Sequence, residues 1–210
     1  MMADLSFVYG TMESGKTTKL LQDNYNYKKH GHKVVIIKPF IDTKGGDTVV
    51  NRTNNSAHVD ILLKKEDSVL SLDNLRIIRD AKVVLVDEAQ FLPIEQIVEL
   101  WEVAHILNIQ VTCYGLKSDF KGIPFEGTIG LIGYADKKTE LTVNCECGDT
   151  AVFNARVVDG KYILDGDVVA IDGEHDVSYV PLCSKCYLHN VIGKEKIDYV
   201  RTRKKLAKNS

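Results

Sequence analysis

The nine residues GTMESGKTT, Gly10 to Thr18, constrain this 210-residue chain more than any other stretch. They follow DLSFVYG, a short apolar and β-prone run. They precede KTTKLLQDNYNYKKHG, in which leucines and tyrosines recur at helical spacing before a glycine stop. The stretch therefore lies where a strand turns into a helix. In that context Gly10, Gly15, Lys16 and Thr17 complete the pattern G-x-x-x-x-G-K-[ST]. Its glycines let the backbone from Thr11 through Met12, Glu13 and Ser14 curl into a nest of N–H donors, and the following helix points its positive end into that nest. Lys16 then places a cation beside the β- and γ-phosphates of a nucleoside triphosphate, with Thr18 one residue further into the helix. The Thr17 hydroxyl is expected on Mg²⁺.

A second run, KVVLVDEAQF, is an apolar strand ending in Asp87 and Glu88. An acid at the carboxyl end of a neighbouring strand completes the Mg²⁺ site in this fold class, which nominates Asp87, acting through a water. Glu88 lies one residue further on, where a carboxylate can accept a proton from an incoming nucleophile as general base. The plainer alternative is a pair of strand-end acids capping the next helix.

The runs LSFVY, KVVIIKP, KVVLVDE and IQVTCYG are continuously apolar rather than alternating, which suits strands covered on both faces. Helical patterns separate them. PIEQIVELWEVAHILN opens with Pro93 at a first helical turn and carries Ile97, Leu100, Trp101 and Ala104 on a core-facing stripe. The fold class is thus α/β, of the P-loop NTPase type, with a mostly parallel sheet flanked by helices. Residues 42–58 are polar and rich in Gly and Asn, and are expected as a long mobile loop. From Thr142 the texture changes: two cysteine pairs, Cys145/Cys147 and Cys183/Cys186, enclose the strand-like pieces AVFNARVV and GDVVAI. The chain divides accordingly into a nucleotide-binding domain over 1–141, a small C-terminal β-rich module over 142–195, and a basic, unstructured tail over 196–210.

Charge and cysteine usage narrow the function classes. Residues 1–200 carry 22 Lys/Arg against 29 Asp/Glu, a net of −7, and this argues against a nucleic-acid-binding face. The remaining charge sits in RTRKKLAKNS, with five basic residues and no acid. No apolar run approaches the ~18 residues of a membrane span, and the start MMADLSFVYG lacks the basic flank and cleavage site of a secretory signal. A cytoplasmic location is expected, and in a reducing compartment close cysteine pairs read as metal ligands before disulfides. Their 35-residue separation suits a Cys₄ structural Zn²⁺, a site with no open coordination position for catalysis. Cys113, inside an apolar run, is expected in the core.

The GTMESGKTT, KPFIDTK, DEAQF and GLKSDFKGIPF segments, the cysteine pairs and the Tyr179-x-x-x-Cys183-x-x-Cys186-Tyr187 spacing stand in one order over about residues 5 to 190. In this the chain resembles the small type II thymidine kinases. The resemblance implies transfer of the γ-phosphoryl of ATP to the 5′-hydroxyl of thymidine, and more weakly of deoxyuridine, with Mg²⁺ and a zinc-binding lasso. It also implies that Glu88 is the base, that Gln90 lies with the phosphate-binding residues, and that Asp42 lies near the metal. Where relatives continue the KPxxD segment with Arg, this chain has Lys44. The thymidine-binding positions carry over to Met12, Phe91, Leu116, Phe120, Asn154 and Tyr179, the Asn standing where many relatives have Thr. Family members are usually homotetramers inhibited by dTTP. Two other readings remain open: a nucleic-acid-stimulated ATPase in which Glu88 activates water, and a non-catalytic nucleotide-binding regulator.

Overall fold

Four of the apolar runs become neighbouring strands of one sheet. The computed structural model describes residues 2–41, 46–164, 166 and 177–207. It divides into two compact units, Met1–Lys117 with Pro124–Leu141, and Ser118–Ile123 with Thr142–Ser210.

In the first unit, β1 (Leu5–Gly10) leads into α1 (Lys16–Lys29) and β2 (Val34–Pro39). A hairpin of β3 (Thr48–Val50) and β4 (Ser56–His58) follows, then β5 (Ile61–Leu63), α2 (Leu72–Ile78) and β6 (Val83–Val86). The unit continues through α3 (Ile94–His105), β7 (Gln110–Leu116), α4 (Glu126–Tyr134) and β8 (Lys137–Leu141). Six strands pair in the order β5-β2-β6-β7-β1-β8, and every pairing is parallel. The acid expected on a strand next to β1 is therefore one strand further away, because β7 intervenes between β6 and β1.

Side chains leave a strand alternately to its two faces, so each central strand feeds two cores. Phe7, Val35, Val84 and Val111 pack with Ile78 of α2, Ile97 and Leu100 of α3 and Leu131 of α4. Val8, Ile36, Leu85 and Tyr114 pack on the opposite face with Leu20 and Leu21 of α1, with Val49 of the hairpin and with Val59 directly after it. Cys113 is fully buried as expected, and burial pushes its thiol up. Trp101 packs against the first core as a half-buried residue, stacked on His105.

The expected loop over 42–58 is in fact a folded hairpin from residue 48 onward. Val49 is buried, and the turn is organised by Asn51, whose side-chain oxygen accepts from the Thr53 N–H, the Thr53 hydroxyl and the Asn55 N–H at 3.1, 2.9 and 3.0 Å. Residues 42–45, including the expected metal neighbour Asp42 and also Lys44, lie outside the described residues.

The second unit contains a three-stranded antiparallel sheet of order β10-β9-β11, from β9 (Phe153–Val158), β10 (Lys161–Ile163) and β11 (Val177–Leu182). The short α5 (Ser184–Tyr187) packs there through Tyr187, which joins Ala155, Leu182 and Cys183 in a small core. AVFNARVV forms β9 as expected, whereas most of GDVVAI lies outside the described residues. The tail departs from expectation: Lys194–Leu206 form a helix, α6. Its Lys, Arg and Glu are good helix formers, and Arg203 donates from Nε to the Tyr199 hydroxyl four residues earlier at 3.2 Å. Among the described residues no helix is long and apolar enough to cross a membrane.

Candidate active site

β1 ends at Gly10, and only glycine fits there: a Cβ would lie 2.3 Å from the Leu141 carbonyl oxygen and 2.5 Å from the Ser14 hydroxyl. Thr11 to Gly15 then form a tight loop in which Glu13 and Gly15 both take positive φ, 67° and 82°. A left-handed glutamate costs on the order of 1 kcal/mol, which the surrounding loop must overcome. Lys16 opens α1 and bends back over the loop, donating to the Thr11 carbonyl at 2.6 Å and to the Ser14 hydroxyl at 3.4 Å. Burial pulls the Lys16 ammonium down, while the nearby Glu88 and Asp87 carboxylates hold it up. A tight loop with a lysine bent back over it is the result.

At the end of β6, Asp87 keeps the ladder going by donating its N–H to the Ile37 carbonyl at 2.9 Å, and its side chain is buried. Burial first, and the Glu88 carboxylate next, push the Asp87 carboxyl up to about 7, against the pull of Lys38 and Lys16. Glu88 itself sits at φ 51° and turns the chain into a 3-10 turn over Ala89–Phe91. Its carboxylate is held by the Gln90 side-chain amide at 2.5 Å, and the same Gln90 accepts the Leu116 N–H at 3.0 Å. Gln90 is 1% exposed. Both ends of the amide are engaged inside the protein, where they fix Glu88 to the end of β7. Gly115 keeps this link open, since a Cβ there would meet Gln90 Oε1 at 2.8 Å.

These elements surround a cavity of about 390 Å³ whose lining includes Lys16, Thr17, Glu88, Met12 and Leu116. Glu13, Gly15 and Thr18 also border it. Phe91 meets Phe125 edge-on, with ring centroids 5.3 Å apart. The hairpin contributes Val50, Asn51 and Arg52 to the lining, and none of these was singled out by sequence reasoning. A signal was present: β-branched residues flank the Asn-rich turn in VVNRTNNSAHV.

In the second unit, Phe120 is buried and its carbonyl accepts the Tyr187 hydroxyl at 2.7 Å. The Arg156 guanidinium stands 5.3 Å from the Phe120 ring centroid. Asn154 donates to the Ser118 carbonyl at 3.4 Å, and Tyr179 lies half-buried on β11 opposite Arg156 of β9. The four paired cysteines converge. Their sulfurs all lie within 4.8 Å of one another, and those of Cys147 and Cys183 are 3.5 Å apart. A tetrahedral ion with Zn–S bonds of about 2.3 Å needs sulfurs roughly 3.8 Å apart, so the set fits. A tight turn lets Cys145-x-Cys147 serve as a pair, since Cys145 N–H donates to the Asp149 carbonyl and Gly148 N–H to the Cys145 carbonyl. Backbone N–H groups of Cys147 and Cys183 also pull the Cys145 thiol down to about 7, favouring thiolate.

The family model "Thymidine kinase" matches residues 3–187. The chain belongs to the thymidine kinase family. A thymidine kinase of Rhodopirellula baltica is 40% identical over 90% of this chain and 88% of its own length. Those of Photobacterium profundum and of Enterobacteria phage T4 are 39% and 38% identical over 89% and 88% of this chain, and over 97% and 95% of theirs. Among solved structures, a Pif1 helicase from Candida albicans shares 15% identity at a TM-score of 0.41, covering 66% of this chain and 36% of that one. Membership of the thymidine kinase family makes the chain a kinase, a transferase using ATP, and its four-cysteine cluster could hold zinc.

Proposed function

We propose that the chain transfers the γ-phosphoryl group of ATP to the 5′-hydroxyl of thymidine, and more slowly of deoxyuridine, giving dTMP and ADP. The observation that carries the reading is one cavity bordered by both the phosphate loop and Glu88. The loop N–H groups and Lys16 hold the phosphates, Thr17 and Asp87 would hold Mg²⁺, and Glu88 accepts the proton of the attacking 5′-hydroxyl. Mg²⁺ supplies charge neutralisation on the transferring group. Catalysis by this set is positioning and electrostatics, and the Gln90 bridge serves it by fixing the base before substrate arrives.

For the nucleoside we assign Met12, Phe91, Leu116, Phe120, Asn154 and Tyr179 to the walls of the base and ribose, apolar and aromatic groups suited to a flat pyrimidine. Asp42 is assigned to the surroundings of the metal. Cys145, Cys147, Cys183 and Cys186 hold a structural Zn²⁺ that organises the second unit. A homotetramer inhibited by dTTP, working in the cytoplasm in nucleotide salvage, completes the assignment by kinship with the family.

The test is product formation from Mg-ATP with thymidine, deoxyuridine, deoxycytidine and deoxyguanosine offered separately. dTMP with weaker dUMP and little else is the expected result. ADP released without a phosphorylated nucleoside would leave the phosphate site standing and overturn the acceptor.

A further inference from the structure

The hairpin brings a second cation to the phosphate cavity. Arg52 borders the same cavity as Lys16, Thr17 and Glu88, and its Nη2 lies 2.8 Å from Glu13 Oε1, inside the phosphate loop itself. The placement is built into the fold. Val49, three residues before it on β3, is in the core with Leu20 and Leu21, and Asn51, directly before it, is 8% exposed. Asn51 closes the turn through its side-chain oxygen and donates from Nδ2 to the Thr18 hydroxyl at 3.3 Å, tying the hairpin to the first turn of α1. Arg52 is therefore presented at a fixed point beside the loop while its own side chain remains 78% exposed.

We infer that Arg52 is a phosphate-binding residue for the triphosphate, carried by the β3–β4 hairpin and held near its working position by Glu13 until the nucleotide arrives; this rests on the ATP reading of the cavity. The chemistry favours the exchange. An exposed Arg–Glu pair contributes little, because water screens it and two side chains must be ordered. A triphosphate brings up to four negative charges and oxygens that match the guanidinium fork, giving shorter and stronger hydrogen bonds. The same charges repel the Glu13 carboxylate, so nucleotide binding and release of Arg52 from Glu13 work in one direction. Lys16 offers one positive charge from the loop side, and Arg52 reaches the cavity from the hairpin side.

The experiment measures binding of a fluorescent ATP analogue and its displacement by inorganic tripolyphosphate, for wild type, K16M, R52Q and R52K, at several KCl concentrations. The expected result for R52Q is about ten- to hundredfold weaker binding of both probes, with a shallower salt dependence, while R52K, which keeps the charge but not the fork, recovers the salt dependence and part of the affinity. KM for thymidine stays as in wild type. Wild-type binding that is weakened by K16M but unchanged in R52Q would overturn the inference and leave the ATP reading intact. Absence of binding by wild type, or indifference to K16M, would overturn the ATP reading itself. A loss in R52Q that is equal at all salt concentrations and not restored by R52K would assign the effect to hairpin structure and also overturn the inference. Arg52 is exposed, so its replacement leaves folding undisturbed.

Discussion

The two units of this chain hold their functional residues in place by different means. In the first, six parallel strands bury side chains on both faces, and Gly10, Asp87 and Leu116 sit at strand ends whose positions are set by large apolar cores. In the second, three short antiparallel strands and one small core support Asn154 and Tyr179, and four cysteine sulfurs converge beside them. A core of the second size gains little from burial alone, and it is in this unit that the four cysteines that could hold a metal ion are found.

The largest effect that would break this division is expected from Cys183→Ala. The protein should lose its zinc, become protease-sensitive between residues 142 and 207, and phosphorylate no thymidine, yet still bind the fluorescent ATP analogue. Retention of stoichiometric zinc by elemental analysis would contradict the assignment of the four cysteines.

Next in size is Gln90→Ala. Removing a charge-assisted hydrogen bond of about 1.5–3 kcal/mol frees the base, so kcat should fall about ten- to hundredfold with KM for ATP near that of wild type. Gly115→Ala should lower kcat in the same way by crowding Gln90, with an unchanged far-UV circular dichroism spectrum. Zinc content should not move in either variant.

Most of the first unit was legible because its central strands are uninterrupted apolar runs, and the phosphate loop, Asp87 and Glu88 lie at their ends. β8 escaped notice because an edge strand reading KKTEL is almost entirely exposed, and β5 because three residues carry no period. The hairpin was hidden by its polar turn: Asn51 looks like loop composition until its buried hydrogen bonds are seen. Arg52, and the bridge made by Gln90, could be found only in three dimensions, since their partners Glu13 and Leu116 are 39 and 26 residues away. The pairing of the cysteines in the sequence anticipated that their four sulfurs converge.

A smaller effect comes from the substrate side. A pocket reading one methyl gains about 1–3 kcal/mol, so kcat/KM for thymidine should exceed that for deoxyuridine by roughly tenfold to two-hundredfold. Deoxycytidine, which reverses donor and acceptor at the base edge, should be rejected more strongly. The smallest is Ser71→Ala. It removes the cap that accepts the Asn74 N–H at 3.3 Å, and should lower the stability of the first unit by about 1 kcal/mol in denaturant melts, with kcat and zinc content unchanged.

The central claim is that Glu88, held at the end of the parallel sheet, takes the proton of the acceptor hydroxyl. Single-turnover phosphorylation of thymidine by Glu88→Gln protein tests it most directly, with zinc content and ATP-analogue affinity measured on the same sample. The account predicts a rate lower by about 10²- to 10⁴-fold with both other quantities as in wild type. A rate within a few-fold of wild type would show that Glu88 is not the base.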